Sequence, residues 1–189
     1  MKSGILGKAA MAAALLLTAG IAGASNGPDA AAQSSDEALA KQVRHQIVTY
    51  PHYTIWDDIS FRVNRGNVLL VGDVNQPYKK SDLQKIVAHV PGVVSVNNQL
   101  KVLPLSNMDD RLRLQVARAI YGDPSLSRYG MQALPPIHII VDNGHVTLTG
   151  VVSTSMDKQV AGVRASTVGL SFGPINNNLQ VEIQPAKKG

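Results

Sequence analysis

Cysteine is missing altogether from the 189 residues. That excludes disulfide staples, thiolate zinc sites, thiol nucleophiles and a lipid carried on an N-terminal cysteine. Aromatic residues are scarce, at 4%, so any core must be aliphatic. Charged residues make up 16% against 44% hydrophobic, a balance that does not suit a disordered chain or a simple nucleic-acid coat. Nor is there a long apolar run. The stretch Ala9 to Ala19 falls short of the ~20 residues that a membrane-spanning helix needs. The length that remains fits one large domain or two small ones.

Residues 1–24 read as a secretory signal peptide. Lys2 and Lys8 form a basic start, Ala9 to Ala19 an apolar centre, and Ala22-Gly23-Ala24 a small-x-small cleavage pattern. Ala30-Ala31-Ala32 offers a second cut, after Ala32. Residues 25–35 follow as a flexible N-terminal segment. Ser25 stands where a lipoprotein would carry cysteine, so the expected mature protein is soluble, periplasmic and not lipid-anchored. Removing Lys2 and Lys8 from the 18 basic residues leaves 16 against 13 acidic ones, a charge of +3. This permits attraction to an anionic membrane surface, but it does not single out a polyanion.

The remainder is a duplication. Asp36, Leu39, Val43 and Ile47 align with Asp109, Leu112, Val116 and Ile120 at an offset of 73. Arg65-Gly66-Asn67-Val68-Leu69-Leu70-Val71-Gly72 aligns with Asn143-Gly144-His145-Val146-Thr147-Leu148-Thr149-Gly150 at 78, and Asn98-Gln99-Leu100-Lys101-Val102 with Asn177-Asn178-Leu179-Gln180-Val181 at 79. The step from 73 to 78 places five extra residues between the first helix and first strand of the second copy.

Each copy reads α-β-β-α-β. Apolar residues at i, i+4 and i+8 line one stripe of the leading helix. Ser34-Ser35-Asp36-Glu37 has capping-box spacing, and Asn107 with Asp109 and Asp110 supplies a cap and negative charge to the second helix. Two alternating strands follow, turning at Gly66 and at Asn143-Gly144, the latter a strong hairpin signal. Gly72 and Gly150 end the alternation, as positions of close backbone packing or a bulge. A second helix is marked by Leu83, Ile86 and Val90 in one copy and by Met156, Val160, Val163 and Thr167 in the other. The closing strands run from Val93 to Val102 and from Ile175 to Ile183. A helical crossover makes the third strand parallel to the second.

The expected fold class is α+β: two tandem units, each a three-stranded mixed sheet with two helices packed on one face. The units span residues 36–104 and 108–184, with a tail at 185–189. The expected core is Leu39, Val43, Ile47, Val68, Leu70, Leu83, Ile86 and Leu100, repeated as Leu112, Val116, Ile120, Val146, Leu148, Val160, Val163 and Leu179. A unit of roughly 70 residues is marginal alone, so packing of one copy on the other should contribute stability.

These motifs carry a resemblance. The Gly-x-Val-x-Leu-x-Gly runs at Gly66–Gly72 and Gly144–Gly150, the Val-Pro-Gly-Val-x-x-Val-x-Asn run at Val90–Asn98 and the closing Asn-x-Leu-x-Val together resemble the BON domain. The resemblance covers about residues 36–184. The second copy departs from it in a longer last turn, Val168 to Ile175. It implies an α/β sandwich and a non-catalytic role at the bacterial envelope: phospholipid binding, envelope integrity and tolerance of osmotic stress.

Candidate sites are sparse. No His pair, HExxH motif, nucleophile motif or nucleotide loop appears among the residues, so neither a catalytic set, a metal site nor a cofactor is expected. His45, His89, His138 and His145 read as surface residues, and Asp57-Asp58 beside His52 as ordinary loop acids. Tyr50, Tyr53 and Trp56 cluster in one loop, which either anchors at a lipid interface or closes over the core and the contact between copies. Arg111, Arg113, Arg118 and Arg128 interleave with Tyr121 and Tyr129, a combination that suits anionic headgroups. The candidate lipid-contact set is thus Arg118, Tyr121, Arg128, Tyr129, Tyr53 and Trp56. The expected partner is an anionic phospholipid or membrane surface. The alternative is a protein-interaction or chaperone-like module for periplasmic proteins. Nucleic acid is not expected.

Overall fold

The computed structural model describes residues 28–169 and 171–182. The expected signal peptide (1–24) and tail (185–189) lie outside the described residues.

The first unit consists of α1 (Pro28–Val48), β1 (Asp58–Asn64), β2 (Asn67–Val74), α2 (Pro77–Ala88) and β3 (Ser95–Val102). β1 pairs antiparallel with β2, and β2 pairs parallel with β3 over eight residues, giving sheet order β1-β2-β3. Leu39, Val43 and Ile47 of α1 meet Val68, Leu70 and Val74 of β2, Leu83 and Val87 of α2, and Leu100 of β3 in one aliphatic core. Full burial of such side chains stabilises by about 1.5–3 kcal/mol each. Two expectations change here. α1 starts at Pro28, inside the stretch expected to be flexible, because proline is favoured in a helix's first turn and the following Ala-rich run propagates helix well. Ser34-Ser35-Asp36-Glu37 therefore lies inside this helix and not at its start.

The second unit repeats the order as α3 (Asn107–Tyr121), β4 (Ile137–Asp142), β5 (His145–Val152), α5 (Ser155–Ser166), β6 (Asn176–Asn177) and β7 (Gln180–Val181). The extra residues before β4 hold a short helix, α4 (Ser127–Gly130). The α3 cap is Ser106, whose hydroxyl accepts the Asp109 N–H at 3.3 Å, while Asn107 is already helical. The closing strand is broken: β5 pairs with β6 at Thr147 and Leu148 and with β7 at Val151 and Val152, parallel in both cases. Pro174 occupies the place that Ser95, the first residue of β3, has in the first copy. Proline has no N–H to give the ladder, so pairing starts late.

The buried stripe of the second helix also differs from expectation. It runs through Lys79, Leu83 and Val87 in α2 and through Asp157, Ala161 and Ala165 in α5. Val163 is exposed, and Ile86 and Val160 are only half-buried. The alanines let α5 approach α3 closely, so small residues replace the larger ones expected there.

The repeated closing asparagine ties strand to helix. Asn98 Nδ2 donates to Lys80 O, and Asn177 Nδ2 to Lys158 O, both at 2.7 Å. Each Oδ1 accepts the N–H two residues on, from Leu100 at 3.2 Å and Leu179 at 3.4 Å.

Candidate functional site

The loop Tyr50 to Asp57, between α1 and β1, reaches from the first unit to the second. Ile139 N–H of β4 donates to Ile55 O at 2.8 Å, adding a backbone bond along the open side of β4. Trp56 packs against the core of the second unit, Tyr53 against that of the first. The Tyr53 ring lies 5.5 Å from that of His138. Beyond the loop, Lys101 of β3 pairs with Asp142 of β4. These contacts make the aromatic loop a seam between copies, where Tyr53 and Trp56 are half-buried. Burial pushes the Tyr53 hydroxyl up to about 12, and the nearby Asp58 and Asp57 carboxylates add to the rise.

His138 was expected on the surface and is instead buried under this loop. Its Nδ1 lies 2.6 Å from Asp57 O. A carbonyl only accepts, so Nδ1 carries the proton. Burial lowers the imidazole pKa, and the Asp57 carbonyl bond opposes that in part. His45, His89 and His145 are exposed, as expected.

Beneath the loop lies a buried ion pair. Asp57 Oδ2 accepts Lys79 Nζ at 2.6 Å, Thr54 N at 2.9 Å and Thr54 Oγ1 at 2.8 Å, while Oδ1 accepts Asn75 N at 3.0 Å. The lysine is 3% exposed and the aspartate fully covered. Asp57 is therefore a structural anion and is committed away from His52. In the second copy the position of Lys79 holds the opposite charge, Asp157. Asp157 Oδ2 accepts Arg128 at 2.6 Å, the Tyr129 hydroxyl at 3.0 Å and Thr154 Oγ1 at 2.7 Å. Burial raises the Asp157 carboxyl, but the bonds from Thr154, Tyr129 and Arg128 outweigh it and hold its pKa below the usual carboxylate value. Either way, a charged side chain on the second helix locks the loop that precedes the hairpin.

The candidate lipid residues divide accordingly. Tyr129 is 3% exposed and its hydroxyl also accepts Ser153 N at 2.8 Å, so it belongs to the core and is withdrawn from the contact set. Tyr121 is half-buried, its hydroxyl donating to Ile137 O at 2.5 Å. Arg113 is buried, with NH1 on Asp110 Oδ1 at 2.5 Å and NH2 on Val141 O at 2.8 Å. Arg128 is exposed, stacked 4.7 Å from the Tyr129 ring centre and neutralised in part by Asp157. Arg111 and Arg118 stand exposed on α3.

Gly72 and Gly150 are backbone positions. A Cβ on Gly72 would sit 2.0 Å from Asp58 O, and one on Gly150 1.9 Å from Pro136 O, at φ of +119° and +107°. Gly66 and Gly144 sit in the hairpin turns, each after a residue that also has positive φ, Arg65 and Asn143. Among the described residues no three His, Asp or Glu side chains converge to hold a metal ion, and no helix is long and apolar enough to cross a membrane.

Sequence reading missed the Asp57–Lys79 pair and the Arg113 contacts. The first joins residues 22 apart through the fold and carries no local motif.

The solved structures to which the chain is similar include CdsD, a structural protein of the type III secretion system of Chlamydia trachomatis. It is 19% identical, with 77% of this chain and 61% of that one covered and a TM-score of 0.30. The CdsD C-terminal domain is 14% identical over 77% and 98%, with a TM-score of 0.27. The present chain thus spans about 61% of the length of the first of these. The search among curated protein sequences gave no match. The BON-domain profile, in contrast, matches both units, at residues 35–104 and 109–182. BON domains are in general non-catalytic binding modules associated with the bacterial envelope. Two copies of one sheet-and-helix unit, matched end to end by that profile, make this chain a tandem member of the BON-domain family.

Proposed function

We propose that this protein is an exported, non-catalytic periplasmic module that docks on anionic phospholipid and supports envelope integrity under osmotic stress. The observation that carries the reading is the outer face of α3. Arg111, Leu114 and Arg118 recur there at i, i+3 and i+7, all exposed. Neither arginine makes an ion pair among the described residues. Met131 and Leu134, in the loop after α4, add exposed apolar side chains to the same unit. A cation near an anionic bilayer surface contributes about 1 kcal/mol, so two arginines give weak, reversible docking. Arg128 is a secondary contact because Asp157 already takes part of its charge. Tyr121 offers its half-buried ring beside this face, while Tyr53 and Trp56 serve the seam.

Co-sedimentation with vesicles tests the reading. At low salt the protein should pellet with phosphatidylglycerol vesicles more than with phosphatidylcholine ones. High salt should release it, since exposed charges are then screened. The double change Arg111→Ala with Arg118→Ala should return sedimentation to the neutral-vesicle level. Equal absence of binding to both vesicles at low salt would overturn the proposal.

A further inference from the structure

A cleft of about 300 Å³ opens where the two units meet. It is lined by Trp56 and Asn75 of the first unit and by Asp110, Arg113 and Leu114 of the second. Clefts at domain junctions are common ligand sites, because neither half alone must bury them. This one is also rigidly built. Asn75 is held by its N–H on the buried Asp57 carboxylate. Trp56 is held by packing on the core of the second unit. Arg113, 3% exposed, is clamped by Asp110 and by the Val141 carbonyl.

Two of the lining residues each carry a buried polar atom that is left over. Asn75 Oδ1 is a buried acceptor and Arg113 Nε a buried donor, and neither has a hydrogen-bond partner. A buried polar atom without a partner costs about 1–3 kcal/mol, and native interiors contain few of them. Here the residues that carry one such donor and one such acceptor, Arg113 and Asn75, line the same cleft, next to an indole and an exposed leucine. A secondary amide supplies the complement: its carbonyl accepts from Nε and its N–H donates to Oδ1. The neighbouring side chain of a peptide then lies against Trp56 and Leu114. A carboxylate fits less well, since Arg113 is already paired and the Asp110 anion also lines the cleft.

We propose that the junction cleft binds the main-chain amide of an extended peptide segment that carries a medium-sized apolar side chain. This site shares Leu114 with the face of the lipid reading but neither of its arginines, and does not depend on that reading.

The chain's single tryptophan lines the cleft, which gives a direct readout. The probe is N-acetyl-leucine N′-methylamide, titrated into the ¹⁵N-labelled full-length protein. Expected are a saturable change in Trp56 emission and shifts of the Asn75 side-chain amide and the Arg113 Nε–H signals. A ligand this small should saturate in the range of about 1–10 mM. Asn75→Ala, with its fold checked by the dispersion of the same spectrum, should weaken binding by about tenfold. Leu114→Ala should weaken it by several-fold, as apolar contact is lost. Any one of three results overturns the proposal: no change at Trp56, equal affinity in Asn75→Ala, or acetate binding as tightly as the amide.

Discussion

The carboxylate of Asp109 accepts the backbone N–H of Gly144 at 2.9 Å, and its other oxygen takes the N–H of the neighbouring Asn143 at 3.1 Å. The first turn of a helix thereby fixes the tip of a hairpin that begins far along the chain. The first copy makes the same bonds from the middle of α1: Asp36 accepts Arg65 N at 2.6 Å and Gly66 N at 3.1 Å. Asp109 is buried and Asp36 half-buried. Asp109→Ala should therefore destabilise by about 2–3 kcal/mol, since it orphans two donors, and Asp36→Ala by about 1 kcal/mol. Urea midpoints of the two variants check this, and equal losses would contradict the role of burial.

That pairing also shows how much of the molecule the sequence made legible. Asp36 and Asp109 stood out because they recur at the same offset as the helix stripes, yet the repeat said nothing of what they touch. Periodicity located the helices, the hairpins and the closing strands, since it records local burial. It placed the α5 stripe on Val163 rather than on Ala161 and Ala165, because a short apolar residue carries little pattern weight while close helix contact favours it. His138 was missed for a different reason. Alternation along β4 marks one buried face, and it cannot anticipate that a loop of the other unit covers the second. The same limit applies to Arg113 and Asn75, which line one cleft only because of how the units dock.

The buried pair at Asp57 and Lys79 predicts an asymmetric mutational response. Lys79→Met leaves a fully covered carboxylate without its cation and should cost about 3–5 kcal/mol. Removing both charges, in Asp57→Asn with Lys79→Met, should recover much of that loss, because no lone charge is then buried. Chemical denaturation of the two variants measures the difference. A double variant less stable than Lys79→Met alone would show that the bonds from Asp57 to Thr54 and Asn75 outweigh the ion pair.

Gly150 is required by contact and by backbone conformation at once. Its φ of +107° is one that side-chain-bearing residues rarely adopt, and a Cβ would strike the Pro136 carbonyl. Gly150→Ala should cost at least about 2–3 kcal/mol. The damage should spread to the segment before β4, seen as faster amide exchange at Ile137 and Val151. Val151 N donates to Pro136 O at 3.3 Å, the bond that the added methyl group would displace.

His138 predicts a dependence on mild acid. Its folded-state pKa lies below the ordinary 6.5, chiefly because burial disfavours the imidazolium. In the unfolded chain the ring takes a proton near pH 6.5, whereas in the folded protein it resists until lower pH. The unfolded state therefore binds more protons across that interval, and stability must fall as pH drops from about 6.5 to the depressed folded value, below which this contribution is flat. Asp57 and Asp58 pull the other way and limit the loss. Asp157 and Asp123, whose carboxyls are held low by their hydrogen bonds, lose their stabilising contribution only below about pH 4, so the two regions separate. Urea denaturation between pH 7.5 and 5 should show a decline in wild type that His138→Gln lacks. Because the ring closes the seam between units, Trp56 fluorescence should report the same transition, and a slope unchanged in His138→Gln would assign it to another group.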